Sequence, residues 1–513
     1  MKRFFNTTGP CTAGRHYMLP PSQRLPEARA LVERDQFLVL HAGRQVGKTT
    51  AMLAFAAELR ADGYAAVWTS LEAGQGMTDP EDAEPVWLSS LCTRVRGQLG
   101  IDLVLPDAPV GSRVHRAVGA LAEAVAPRRL VLLLDEADTA TGPALVSLLR
   151  QLRDGFVERA TGRFATSVAL IGMRDLRDYI TEAKGGVHVN PGSPFNIKAA
   201  SITMRNFNAA EVVELVGQHT ADTGQVFLPP ASARIFAWTQ GQPFLVNKLA
   251  LICIDELCPD RAVAVTATDV DEAKDRLIRA RTTHLDALAE RLKEPRVARI
   301  VQSVLLGDEE LDYSTDDFRY VTDLGLIARG QGGAEPANPL YREVLARELS
   351  FSRQMNTPLP DWRWRTLDGR LDYPALIGAF CEYWRENADS ISEHIPLYPE
   401  AVAHITFMAF LQRVVNGDGR VEREFAAGRG AVDLVTHYAG ERFVTEIKRV
   451  RPKDGLAAIR AKGERQLGRY LDVMGLKEGW LLVVDQRPRR SWRQRMWRED
   501  VVIDGKTLHL VGM

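Results

Sequence analysis

The sequence predicts an α/β protein of several domains, with a parallel sheet layered by helices near its start and a second α/β unit at its end. Three observations predict it. Strand-length apolar runs alternate with helical stretches in the first part of the chain: FLVLH, TTAMLAFAAELRADG, YAAVWTSLE, RRLVLLLDEAD and TSVALIGMRD. Such short apolar runs are the pattern of strands buried on both faces. A glycine-containing turn, AGRQVGKTT, joins the first run to the first helix. From about Leu371 the pattern becomes helix, strand, strand, strand, helix, strand. At 513 residues the chain is also too long for one core. Roughly 150 residues per domain makes about three domains.

In chain order, residues 1–195 hold the first α/β pattern. Residues 196–260 read as helices (AAEVVELVGQHTADTG, PPASARIFAWTQG, PFLVNKLALICIDEL). Residues 261–350 add helices and close on YVTDLGLIARGQGGAEPANPLYREVL, a helix, a Gly-rich turn and a return segment that resemble the end of a winged helix. Residues 351–370 are polar and contain Pro and Trp, and they read as a linker. Residues 371–513 form the second α/β segment, with no solenoid-length repeat anywhere.

Hydrophobic residues at 45% and charged residues at 26% exclude a disordered, collagenous or coiled-coil chain. The 65 Lys+Arg and 66 Asp+Glu nearly cancel, so any contact with nucleic acid must come from a local patch. Cys11, Cys92, Cys253, Cys258 and Cys381 form no C-x-x-C pair and no zinc spacing, which suits a reducing compartment. MKRFFNTTGP lacks the apolar run of a signal peptide, and no apolar run approaches the roughly 20 residues of a membrane span. A cytoplasmic protein without membrane contact is expected.

FLVLHAGRQVGKTT places Gly43, Arg44, Gln45, Val46, Gly47, Lys48, Thr49 and Thr50 between a strand and a helix. Backbone N–H groups curled at a helix N-terminus cradle phosphate. Lys48 is expected to reach the β- and γ-phosphates and the Thr49 hydroxyl to ligate Mg²⁺. Ala42 stands where the loop's first glycine is usual. In RRLVLLLDEAD, Asp135 ends an apolar strand and is expected to hold the magnesium, while Glu136 orients or deprotonates the attacking water. The sequence has no Asn-Lys-x-Asp guanine reader, so ATP is expected over GTP.

TSVALIGMRD, with Arg174 after its apolar run, and WTQGQPFLVNKLA, with Gly241 and Pro243, together with the preceding loop, resemble the AAA+-related clade of STAND signalling and origin-recognition-like ATPases. The resemblance implies a P-loop core with a helical lid and winged helix, Arg174 as a sensor of the γ-phosphate and Pro243 as a lid contact. HYMLPPSQRLPEARAL looks like that clade's adenine-side entry.

In AVDLVTHYAGERFVTEIKRV, Asp433 lies on one strand and Glu446 and Lys448 on the next. Residues two apart share a face, so Glu446 and Lys448 project together, with Thr445 and Ile447 turned away. Two carboxylates suit Mg²⁺, and an ammonium beside them can position hydroxide and offset developing negative charge. GRGAVDL and VTEIK resemble the PD-(D/E)xK restriction-endonuclease-like superfamily. That resemblance adds Glu400, at the start of EAVAHITFMAF, as a further metal ligand, and Gln466 with Tyr470 as its Q-x-x-x-Y element. Glu422 and Glu424 compete as ligands, and RPRRSWRQRMWR supplies a local basic patch that is either a nucleic-acid contact or a helix with solvated arginines.

Taken whole, the chain resembles bacterial AAA-like ATPases fused to a C-terminal PD-(D/E)xK domain. The resemblance implies ATP and Mg²⁺ as cofactors and a Mg²⁺-dependent nuclease whose nucleic-acid partner is expected to be DNA, with defence against phage or mobile elements as its setting by analogy. A STAND-like switch or DNA-binding regulator that does not cut is the competing expectation, and a homo-oligomer is left open.

Overall fold

The computed structural model describes residues 3–161, 163–173, 198–280, 285, 288, 290–306, 315–330, 333–345, 364, 366, 368–393, 403, 406–408, 410–411, 415, 419–427, 430–450, 454–485, 487 and 490–513. They fall into two compact units, Met1–Asp286 with Tyr313–Leu340, and Ala287–Asp312 with Tyr341–Met513.

The first unit begins with α1 (Pro26–Glu33), β1 (Phe37–His41), α2 (Lys48–Ala61), β2 (Ala65–Ser70), α3 (Pro80–Leu99), α4 (Arg113–Val125), β3 (Leu130–Asp135), α5 (Gly142–Glu158), β4 (Ser167–Gly172) and β5 (Lys198–Thr203). The strands lie in the order β2-β3-β4-β1-β5, every neighbouring pair parallel. Alternate residues face opposite sides, so both halves of each apolar run are buried. Phe37, Val39, Val67, Leu132, Leu134 and Leu170 pack under α3, α4 and α5. Leu38, Leu40, Trp68, Leu133 and Ile171 pack under α1 and α2. The fifth strand, KAASIT, lies past residue 195 in a stretch whose composition reads as helical. Among the described residues it pairs with β1 alone, at the sheet's edge, and so needs no continuous apolar run.

The unit continues with α6 (Ala209–Thr223), α7 (Pro229–Thr239), α8 (Pro243–Ile252) and α9 (Ala267–Arg279). Asn208 with Glu211, and Thr266 with Asp269, form capping boxes that start α6 and α9. After α10 (Pro295–Leu306), in the second unit, the first unit is completed by α11 (Thr315–Asp323) and an antiparallel hairpin of β6 (Ile327–Gly330) and β7 (Gly333–Pro336).

The second unit contains α12 (Tyr373–Glu393), β8 (Gly419–Ala427), β9 (Gly430–Tyr438), β10 (Glu441–Val450), α13 (Leu456–Met474), β11 (Glu478–Asp485), the single turn α14 (Trp492–Arg495), β12 (Trp497–Ile503) and β13 (Lys506–Gly512). Its sheet runs β12-β13-β11-β10-β9-β8. β8, β9 and β10 form an antiparallel meander, and α13 carries the chain to β11, parallel to β10. One sheet face packs with α12 through Leu434, Phe443, Ile447 and Trp480, the other with α13 through Val435, Val444, Leu481 and Leu508. RPRRSWRQRMWR is not a long helix: it gives one turn and then the edge strand β12. The β12–β13 hairpin turns on Asp504-Gly505, both with positive φ (51° and 74°), the Asp-Gly pairing that favours a tight hairpin.

Candidate functional site

Two clusters of candidate side chains form, one in each unit. In the first unit the loop between β1 and α2 turns on Gly47 at φ +90°, a left-handed conformation that a side chain strains. Lys48 starts α2 and is buried, with Nζ donating to Ala42 O at 2.9 Å and Gly43 O at 3.1 Å. Burial pushes its ammonium down, while Glu136, Asp138 and Asp135 pull the other way. Val46 is buried, and Arg44 and Gln45 are exposed. Thr49 lies in the first turn of α2, and the Thr50 hydroxyl accepts from Cys11 N at 3.0 Å.

Asp135 ends β3, fully buried. Its Oδ1 accepts from Glu136 N at 2.9 Å and its Oδ2 from Trp68 Nε1 at 3.2 Å. Glu136 takes φ +54° at the strand's end. Burial first, and then Asp138 and Asp135, push its carboxyl up to about 6. A carboxylate held near neutrality is suited to receive a proton. The donors here, the Thr49 hydroxyl and the carboxylates of Asp135 and Glu136, are all hard oxygens, and each Asp135 oxygen keeps a lone pair beyond its single N–H. That set fits Mg²⁺.

Sequence reasoning missed three residues of this site, two of which hold the loop. The buried Arg24 guanidinium donates to Val46 O and Arg205 O, each at 3.1 Å, and lies 4.8 Å from the centre of the Phe207 ring. Burial pushes it down to about 10. Gln242 Nε2 donates to Arg44 O and Gln45 O, both at 3.3 Å. Pro243 is buried at the head of α8, so in this structure the side chain on the loop is its neighbour's. Gly241 has φ +71°, and a β-carbon there would lie 1.8 Å from Phe207 O. Trp68 is the third. The G-x-P spacing was the one visible signal, and it marked the backbone rather than the contacting side chain. From α11, Asp323 sits 3.9 Å from His41, and a β-carbon on Gly43 would lie 3.1 Å from Leu324 O. Arg174 and Glu400 lie outside the described residues.

In the second unit the β9–β10 register, Thr445 opposite Leu434, sets Asp433 beside Glu446. Lys448 Nζ is 2.5 Å from Glu446 Oε1 and 4.0 Å from Asp433 Oδ2. Asp433 Oδ2 accepts from Ile447 N at 2.7 Å, and Asp433 N donates to Glu446 Oε2 at 3.4 Å. Thr445 and Ile447 face the other side, Thr445 bonding Tyr373 Oη at 2.8 Å. Burial, reinforced by Asp433, raises the Glu446 carboxyl against the opposing pull of Lys448. Burial alone would lower Lys448, but Asp433 and Glu446 overcome it and raise the ammonium. Gly463 on α13 lets the helix lie close: a β-carbon there would be 3.1 Å from Lys448 Cγ. Gln466 Nε2 donates to Tyr470 Oη at 2.9 Å. Among the described residues no group of three His, Cys, Asp or Glu is set for a metal, so the described oxygen donors here are the two carboxylates.

The basic patch is partly spent on internal contacts. Arg487 forms a two-pronged pair with Asp485, at 2.9 and 2.6 Å, and Arg495 lies over Trp492 and donates to Arg487 O. Arg490, Arg493 and Arg498 are exposed. Trp497 is partly buried, with Arg460 over its ring. No helix among the described residues is long and apolar enough to cross a membrane.

A family model described as an AAA-like domain matches residues 17–347. An uncharacterized WD repeat-containing protein of Synechocystis is 22% identical over 370 residues, covering 66% of this chain and 30% of that protein. The chain therefore spans less than a third of that relative's length. Among solved structures, a Walker-type ATPase of Pyrococcus abyssi has 14% identity and a TM-score of 0.47, covering 66% of this chain and 99% of its own. The ORC2 protein of Aeropyrum pernix has 13% identity and a TM-score of 0.40, covering 68% and 98%. RuvB of Thermotoga maritima has 14% identity and a TM-score of 0.35, covering 63% and 93%.

Proposed function

The chain belongs to the AAA-like domain family, and on that premise we propose that its first unit binds and hydrolyses ATP and its second unit cleaves DNA phosphodiester bonds with Mg²⁺. What supports the first half is Lys48, Asp135 and Glu136 gathered at the carboxyl ends of β1 and β3, the edge where ligands of open parallel sheets bind. Loop amides and the α2 N-terminus receive phosphates, Lys48 offsets their charge, and Glu136 takes the proton of the attacking water. Thr49 and Asp135 would hold Mg²⁺, which supplies charge neutralisation at the phosphates. Arg174 as sensor and Pro243 in the lid belong to this reading, as does the assignment of α11 with the β6–β7 hairpin to the end of a winged helix.

The nuclease half rests on one observation, the meeting of Asp433, Glu446 and Lys448 on a two-stranded hairpin. The carboxylates supply oxygens to Mg²⁺, with Glu400 as a further ligand, and Lys448 steadies hydroxide and the developing negative charge. Gln466 orients this cluster through Tyr470, which interacts with Lys448. ATP gates cutting in this proposal. Asp323 of α11 lies against His41 at the end of β1 and Leu324, next after it, against Gly43 of the phosphate loop, and the segment they belong to is joined by the chain at both ends to the second unit.

The test is cleavage of plasmid, linear and single-stranded DNA by the purified protein with Mg²⁺, with and without ATP. Cutting that is lost in Glu446→Ala and altered by ATP only while Lys48 is present supports the proposal. ATP hydrolysis without cutting on any substrate refutes the nuclease half and favours a switch whose second unit binds without cleaving. Sedimentation with and without ATP settles whether copies assemble.

A further inference from the structure

Of the two N–H groups on the Asp135 carboxylate, one is local, from the next residue. The other comes from Trp68, a residue 67 positions earlier on the neighbouring strand. Trp68 lies opposite Leu133 in the β2–β3 register, so its side chain leans along the strand to reach Asp135. It is held there on several sides. β2 is an edge strand, and Gln98 from α3 takes the place of a missing neighbour: its Oε1 accepts from Trp68 N at 3.0 Å and its Nε2 donates to Trp68 O at 2.7 Å. Arg60 in turn bonds Gln98 Oε1 at 3.1 Å. The Arg94 guanidinium lies 4.8 Å from the indole centre, on the wall of a groove of about 530 Å³ that Ser70, Glu72 and Thr93 also line. The ring is buried, and its polar edge is directed at a buried carboxylate.

We propose that Trp68 is a positioning residue for Asp135: its indole N–H holds the carboxylate in the one orientation in which the site takes a divalent cation beside a nucleotide. This rests on the reading of the first unit as a Mg²⁺-dependent ATPase. A buried carboxylate with one remote N–H partner has fewer orientations than one steadied by its own turn alone, and groups that orient a metal ligand govern its affinity for the metal. Trp68 touches neither nucleotide nor metal in this proposal and acts only through Asp135. The edge position explains the clamp. Without Gln98 the strand's outward N–H and C=O would be unpaired, and the residue carrying the indole would be free to shift.

The test uses the full chain and a ribose-labelled fluorescent ATP analogue, titrated in EDTA and then across a range of Mg²⁺. Trp68→Phe keeps the buried ring and deletes the N–H. Its affinity for the analogue in EDTA is expected to equal that of the wild type. The Mg²⁺ concentration giving half of the metal-dependent response is expected to rise about tenfold or more. Arg94→Met, which leaves the N–H in place, is expected to stay near the wild-type midpoint. An unchanged Mg²⁺ midpoint in Trp68→Phe overturns the inference alone. Affinity lost equally in EDTA also overturns it, by showing a merely structural role. No Mg²⁺ effect in the wild type overturns the ATPase reading with it. Should Trp68→Phe fail to fold, wild-type protein labelled with ¹⁵N at its nine tryptophans decides: Mg²⁺ added to the nucleotide complex must move the indole N–H resonance that Arg94→Met identifies, and its failure to move overturns the proposal.

Discussion

Gly241→Ala is expected to be far more damaging than its size suggests, and Gly224→Ala measures why. Both glycines have positive φ, 71° and 78°, so an alanine at either place carries the same left-handed backbone strain of about 1 kcal/mol. At Gly224, the C-cap of α6, a β-carbon would meet nothing within 4 Å. At Gly241 it would lie 1.8 Å from Phe207 O and 2.7 Å from Phe207 C, both backbone atoms that no rotamer change can move aside. The two chains must part by roughly 1 Å or more to reach ordinary contact. Parting strains the Phe207 N–H to Gly241 O bond of 2.9 Å and draws Gln242 off the phosphate loop. Overpacking of about 1–3 kcal/mol and a buried hydrogen bond of about 1 kcal/mol add to the shared strain, so Gly241→Ala should lose about 3–5 kcal/mol. Urea unfolding of both variants beside the wild type measures the difference, and binding of a fluorescent ATP analogue reads the loop. Equal losses in the two variants would refute the steric argument. Full destabilisation with unchanged analogue affinity would refute the role given to Gln242.

Other substitutions separate the remaining assignments. Glu136→Gln should keep nucleotide binding and lower ATP hydrolysis by about 10²–10⁴-fold, read in single-turnover assays. Gly463→Ala should press α13 off Leu481 and Lys448 and reduce DNA cutting while ATP hydrolysis stays at the wild-type rate, the two activities being measured on the same preparation. Arg205 holds the Glu211 carboxyl below its usual range, so this pair stabilises the protein above the unfolded value of about 4.3 and loses that stability as pH falls through the folded value. Arg205 is half exposed, and Glu211→Gln should therefore cost only about 1 kcal/mol at pH 7, a deficit that closes in more acidic urea melts. EDTA should abolish cutting outright and leave the nucleotide bound, as followed with the fluorescent analogue.

Much of the sheet was legible because β1 to β4 are buried along nearly their whole length, the edge strand β2 included, which α3 covers. FLVLH, AAVWTS, LVLLLD and SVALIG each carry an uninterrupted or nearly uninterrupted apolar run, and each became a strand. The edge strands β5 and β12 were not legible. An edge strand pairs on one side and tolerates Lys, Ser, Arg and Glu, so KAASIT and WREDVVI look like helix or loop to any reading of apolar periodicity. The Asp504-Gly505 turn is a local signal, and it lies beyond the last strand of the helix, strand, strand, strand, helix, strand pattern that begins near Leu371.

The functional clusters divide in the same way. Lys48 following Gly47, Asp135 and Glu136 ending a strand, and Glu446 two residues before Lys448 are local facts. Strand alternation and the strand-to-helix turn dictate where such side chains point, so the residue order alone determined them. Trp68 on Asp135, Gln242 and Arg24 on the loop carbonyls, and Gly463 under Lys448 join positions far apart in the chain. No spacing rule connects them, because a contact between remote residues exists only once the sheet order, the helix packing and the close approach of backbones have been set. Only the tertiary structure decided those, and with them the burial that raises Glu136 toward neutrality.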